Sequence, residues 1–128
     1  MSHAARLLAG FLLVLAACGG DQATSRAGNL RVSLFAGQAD AGALLLTISG
    51  GPVEAVTAVG GQQVSFSSPA AGTTNVVVVG TLQTGDLLTI RVPDTSRAAD
   101  YRAQVDQAAD NVSFALLNPS SYTLTIAR

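Results

Sequence analysis

Four consecutive valines, Val76-Val77-Val78-Val79, closed by Gly80, constrain this chain more than any other stretch. β-Branched side chains are stiff at χ1 and crowd a helix, but they pack well on a pleated surface. The run carries no charge, so at a sheet edge it would invite pairing with other chains; it is expected inside a sheet. Similar short runs recur on both sides of it. Leu30, Val32 and Leu34 alternate with Arg31, Ser33 and Phe35, which puts aliphatic side chains on one face at a period of two. Residues 43–49 (ALLLTIS) read as a buried strand ended by Gly50-Gly51-Pro52, and residues 53–59 alternate up to Gly60-Gly61. Residues 62–67 alternate around Val64 and Phe66 until Pro69 breaks the run. After the turn at Thr84-Gly85-Asp86 comes a second core strand, residues 87–92, stopped by Pro93.

Residues 94–100 form a polar loop. Residues 101–110 have the Ala and Gln content of a helix but alternate at Tyr101, Ala103 and Val105, and strand is the reading chosen in these surroundings. Residues 112–117 and 122–127 complete the set around Asn118-Pro119-Ser120-Ser121. Eight or nine short strands with Gly and Pro turns, and no βαβ alternation, predict an all-β fold. The expected architecture is a single antiparallel β-sandwich, jelly-roll or immunoglobulin-like. About 100 residues suffice for one domain with its own core.

The amino-terminal segment has a different character. A positive start with Arg6 precedes an apolar stretch from Leu7 to about Val14, and small residues follow. As a helix, residues 7–17 would span about 16 Å, too short for a hydrocarbon core ~30 Å thick. A cleaved signal helix over residues 1–17 is therefore expected in place of a membrane-spanning anchor. The block Leu15-Ala16-Ala17-Cys18 resembles the lipobox of bacterial lipoproteins. That resemblance implies cleavage before Cys18, diacylglycerol on its thiol and usually an acyl chain on the new amine. Two or more chains anchor stably where one does not. It further implies a cell-envelope location, and Gly19 and Gly20 ahead of Asp21 favour outer-membrane delivery over inner-membrane retention. Residues 18–29 read as the lipidated Cys and a flexible tether, with a reach of about 17 Å for ten residues. The sandwich occupies residues 30–128.

Composition narrows the chemistry. Beyond residue 17 there is no His, no Lys and no Met, and the only Cys is Cys18. Six Arg against eight acids leave a net charge near −2 there, the wrong sign for nucleic acid. A Ser-His-Asp or Cys-His device lacks its imidazole, a Ser-Lys dyad lacks its lysine, and zinc lacks its usual ligands. A carboxylate pair drawn from Glu54 and the seven Asp is the one common catalytic device left. Five aromatics and no Trp supply little wall for a sugar cleft. No enzyme activity and no cofactor are expected.

The region after the tether resembles the cohesin-like and carbohydrate-binding-module-like jelly-roll sandwiches. The residues that carry this likeness are Gly42 to Ile48, Val76 to Gly80, Thr84 to Ile90 and the Tyr122-Thr123-Leu124-Thr125-Ile126 strand. Cohesins bind dockerin modules through a sheet face and adjoining loops. This chain is shorter than a typical cohesin and has no dockerin-like acidic loop.

Three candidate sites stand out. Asp94, Asp100, Asp106 and Asp110 with Asn111 are the densest set of oxygen ligands, although no D-x-[DN]-x-[DN]-G loop is present and turn-flanking acids are the preferred reading. Tyr101 and Tyr122 with Phe35 could form a sugar-stacking face, against the preferred reading of core filling. Asn111-Val112-Ser113 matches a glycosylation sequon, which bacterial export makes irrelevant. The functional expectation is a lipid-anchored, non-catalytic protein- or glycan-binding module, partnered by the membrane through Cys18 and by an envelope protein or glycan. The alternative is a structural envelope lipoprotein with no discrete ligand, and last comes a carboxylate-based hydrolase. An exposed aromatic row would favour glycan. An exposed apolar patch would favour a protein partner, and two acids ~5–9 Å apart in a cleft would favour the hydrolase.

Overall fold

Alternation sorts the side chains of each strand into two sets, and the inward sets meet in one core. The computed structural model describes residues 26–38 and 40–128, so the leader, Cys18 and most of the tether lie outside the described residues. Among the described residues nine strands are formed: β1 (Gly28–Ala36), β2 (Ala41–Ser49), β3 (Ala55–Ala58), β4 (Gln63–Ala70), β5 (Thr73–Leu82), β6 (Gly85–Val92), β7 (Arg102–Asp110), β8 (Leu116–Leu117) and β9 (Tyr122–Ala127). They make two antiparallel sheets, ordered β3-β6-β1-β9 and β4-β5-β2-β7-β8. Leu30, Val32 and Leu34 of β1, with Leu88, Ile90 and Val92 of β6, face Leu44, Leu46 and Ile48 of β2 and Val76 and Val78 of β5. All of these are buried, and the antiparallel β-sandwich expected from the periodicity is what forms.

The four-valine run lies where its lack of charge requires. Strand β5 sits between β4 and β2, hydrogen-bonded on both sides, with Val78 opposite Leu44 and Val64.

Several boundaries differ from expectation. Strand β5 does not stop at Gly80 but continues to Leu82 through a φ of 152° at that glycine, a conformation open to a residue without Cβ. Strand β4 runs through Pro69, because β4 is an edge strand and its ladder is already irregular between Ser67 and Ala70. The loop expected at 94–100 contains a 3₁₀ turn, Thr95–Asp100, capped by the Asp94 carboxylate. Of residues 53–59 the strand proper is Ala55–Ala58, paired with β6, and the Glu54 and Val59 N–H groups extend the bonding to the Arg91 and Leu87 carbonyls of the same strand. The strand expected over 112–117 shrinks to Leu116–Leu117, because Asp110 captures the preceding residues in a turn.

The sandwich has two ends of different character. The chain enters at the end where β1 begins and β6 finishes, and there the Thr95 N–H donates to the Arg26 carbonyl at 2.8 Å. The opposite, far end gathers the β1–β2, β5–β6 and β7–β8 connections. It is laced by Gly37 N–H to the Ser121 carbonyl (2.7 Å), Ala36 N–H to Thr84 Oγ1 (3.0 Å) and Gln83 Nε2 to Asp40 (3.2 Å). Nine residues at ~3.3 Å each place the two ends about 30 Å apart.

Candidate interaction surface

A sandwich strand has one inward face, so a strand apolar on both faces presents an apolar surface to its surroundings. Strands β2 and β5 are such strands. Their outward residues form cross-strand rows with β4, β7 and β8. Toward the entry end the rows are polar: Ser67, Asn75, Thr47 and Gln104 in one, Thr73, Ser49 and Arg102 in the next. Toward the far end they turn apolar. One row reads Ser65, Val77, Leu45, Gln107, and the last reads Gln63, Val79, Ala43, Ala109, Leu116.

Val77, Val79 and Leu116 are 40%, 41% and 77% exposed. Around the small Ala43 and Ala109 the surface dips into a depression of about 270 Å³, walled by Leu45, Val77, Gln107 and Leu116. Among the described residues no charged side chain lines it. Asp106 stands at the point where the β2–β7 register shifts, and its carboxylate accepts from Thr47 Oγ1 and, at 3.0 Å, from Gln104 Nε2.

The β7–β8 turn extends this apolar end. The Asp110 N–H donates to the Ala115 carbonyl at 2.9 Å, and the Phe114 N–H donates to the Asp110 carbonyl at 3.1 Å. The Asp110 carboxylate accepts from the Ser113 N–H (3.0 Å), the Ser113 hydroxyl (3.0 Å) and the Val112 N–H (3.2 Å). These donors, those of Ser113 foremost, hold the carboxyl below its ordinary value. The turn thus built exposes Val112 by 83% and Phe114 by 64%, with Phe114 in the left-handed region at φ 57°.

The outward face of the other sheet is different. Arg31, Ser33, Asp86, Thr89, Arg91, Thr123 and Thr125 lie on it; Arg31 pairs with Asp86 at 3.5 Å, and the Ser33 hydroxyl donates to the same carboxylate at 2.9 Å. Phe35, also on this face, is a lone exposed ring beside Gly37. One face is solvated and charged, the other apolar toward its far end.

The residues singled out from sequence fall elsewhere. Asp94 and Asp100 sit at the entry end, Asp106 midway along β7, and Asp110 and Asn111 at the far end, so the nine residues of β7 hold the set apart. Among the described residues no group of three or more His, Cys, Asp or Glu is placed to hold a metal ion. Every described Asp has a local partner: Asp40 with Gln83, Asp86 with Arg31 and Ser33, Asp94 with Ser96, Asp100 with Arg97, Asp106 with Thr47 and Gln104, Asp110 with Val112 and Ser113. The side-chain and then the backbone hydrogen bond from Ser96 lower the Asp94 pKa from its ordinary value.

Tyr101 and Tyr122 are buried, and burial raises both phenols; Tyr101 Oη donates to the Pro52 carbonyl at 2.7 Å. With Phe35 exposed on its own, the three rings make no common stacking face. A notch of about 430 Å³ at the entry end, lined by Gly50, Gly51, Pro52, Pro93, Asp94, Arg97 and Tyr101, is larger than the apolar depression. Its polar groups are occupied internally, Arg97 Nε by Asp100 at 2.9 Å, Asp94 by Ser96 and Tyr101 by Pro52.

Compared with known proteins, the chain matches no family model, no curated protein and no solved structure. The sandwich therefore rests on its own geometry. The sequence reading missed Ala43, Leu45, Val77, Val79, Ala109 and Leu116 as surface residues. The signal was present: Leu44-Leu45-Leu46 and the four valines show no alternation, and two-sided apolarity was read as two-sided burial.

Proposed function

We propose that this chain is a lipid-anchored envelope protein whose sandwich serves as a non-catalytic protein-binding module. The outward face of the five-stranded sheet is its binding surface. One observation carries the reading: an uncharged apolar depression walled by exposed Val77 and Leu116, with exposed Val79 in the row beside Ala43, on a sheet face left open to solvent. Contiguous apolar surface of this kind on a soluble domain favours a protein partner. A glycan-binding reading has less support, since two of the three candidate rings lie in the core. The internal partners of the six described Asp carboxylates argue for structural work by those acids.

The lipobox resemblance at Cys18 supports a lipid anchor, and Gly19 and Gly20 ahead of Asp21 favour the outer membrane over the inner. The seven residues between Cys18 and Arg26, whose carbonyl is already bonded to the sandwich, hold it close to the headgroups with a reach of about 15 Å. A photoreactive residue at Val77 in the full chain tests the binding surface in intact bacterial cells. Covalent adducts with protein are expected at Val77 and not at Thr125 on the polar face; a blank at Val77 overturns the reading. For the anchor, Cys18→Ala is expected to abolish incorporation of labelled palmitate and release the chain from membranes. A variant that stays membrane-bound places the anchor elsewhere.

A further inference from the structure

The same face has the features of a surface that pairs with itself. We infer that its occupant is a second copy of this chain, the two sandwiches standing side by side with their five-stranded sheets face to face. The inference rests on the binding-surface reading above and names the partner.

Three properties point this way. The first is charge. The apolar rows contain no ionised side chain, and the polar groups beside them are Gln63, Ser65 and Gln107. Amides and hydroxyls both donate and accept, so Ser65 of one copy can pair with Gln107 of the other across a two-fold axis. A face carrying one sign of charge would repel its copy; this one does not.

The second is shape. Along the last row the sequence of sizes is Val79, Ala43, Ala109, Leu116, a trough of two alanines between two large side chains. An axis parallel to the strands and lying between β5 and β2 carries the Val77–Val79 ridge of each copy over Leu45 and Ala43 of the other. Ridge and trough are then filled reciprocally, as an isologous contact requires. The same axis keeps apolar rows against apolar rows and polar rows against polar rows, because it leaves height along the strands unchanged. It also leaves both entry ends on the same side, so both tethers reach one membrane. An in-plane axis across the strands would send the tethers in opposite directions.

The third is area. The four long strands that this axis overlays, at ~4.8 Å each with nine residues at ~3.3 Å, give a face of about 19 by 30 Å, roughly 570 Å²; β8, with two residues, adds little. Specific interfaces begin near ~1,200 Å² in total, ~600 Å² per partner, so the face comes close to the lower end of that range. Sheets packed in this way sit about 10 Å apart with interdigitating side chains.

The test uses the full lipid-anchored chain, expressed in one cell in two copies bearing different epitope tags, with a photoreactive residue at Val77. The expected product is an adduct of twice the chain mass that carries both tags. Its yield should be at least tenfold above that from the same probe at Thr125. Adding Ala109→Arg should suppress it at least tenfold, while a thermal melt of the purified variant shows the fold retained. Should Ala109→Arg fail to fold, Gln107→Arg on the same surface takes its place. Adducts to a different protein alone overturn the second-copy inference and leave the binding module standing. A blank at Val77 overturns both. Equal double-tagged yields at Val77 and Thr125 report random collision and also overturn the inference.

Discussion

Phe114 holds a backbone conformation that an L side chain adopts at a cost. At φ 57° its Cβ crowds the neighbouring peptide, a penalty of about 1 kcal/mol that glycine escapes. The hydrogen bonds around Asp110 and Ala115 set that angle, so the ring at this position is not needed for the turn to close. Phe114→Gly is therefore expected to leave stability unchanged or raise it by up to about 1 kcal/mol, and Phe114→Val to lower it by at least ~1 kcal/mol, measured as urea midpoints. Gly50 is the converse case. It ends β2 at φ 103°, and a Cβ there would run into the Asp100 carbonyl. Backbone cannot yield as a side-chain tip does, so Gly50→Ala is expected to cost more than about 2 kcal/mol by the same measurement. In sequence this glycine is a turn signal and nothing more. Its close approach to Asp100 depends on how β2 and β7 are paired, 50 residues apart in the chain.

Among the elements, the β7–β8 hairpin has the clearest pH response. The Asp110 carboxylate accepts its hydrogen bonds in the ionised form, and its pKa lies below the ordinary 3.8. A depressed folded-state value means the turn is fully supported above the unfolded value and loses support as pH falls from there through the folded value. Amide protection at Val112 and Ser113 is expected to drop below about pH 4, and Asp110→Asn to remove that pH dependence; hydrogen exchange across the range checks it. Protection unchanged down to pH 2 would contradict the account. The signal for this turn, Asp110 with Ser113 three residues on, was legible in the sequence, but the apolar spacing of Val112, Phe114 and Leu116 outweighed it. Two kinds of local information competed, and the hydrogen-bonded turn prevailed. The long strands were not contested in this way. In β1, β6 and β9 alternation and turn residues agree, in β2 the apolar run and its closing turn suffice, and those elements appear close to where they were expected.

For the molecule as a whole, the division between core and surface can be tested on one strand. Leu46 is wholly buried between the sheets, and its neighbour Leu45 lies on the outward face. Leu46→Ala is expected to cost about 2–5 kcal/mol, and Leu45→Ala under about 1 kcal/mol, with the urea midpoint as the readout. Equal losses would mean that both faces of β2 are covered in the isolated chain. What the sequence by itself determined is local: short β-branched and alternating runs that cannot be helices, the glycines and prolines that end most of them, and a supply of side chains too poor in imidazole, thiol and amine for the common catalytic devices. Period-two patterning is a property of neighbours along the chain, so it can be read without knowing the fold. Tertiary structure alone decided the strand order, and with it which residues share a row. The rows that bring Val77 and Val79 beside Leu45 and Ala43, and Ala109 beside Leu116, join segments far apart in the chain. The physical reason is that pairing across a sheet depends on long-range registry and on which face the core consumes. An apolar residue looks the same in sequence whether its face is buried or left open for a partner.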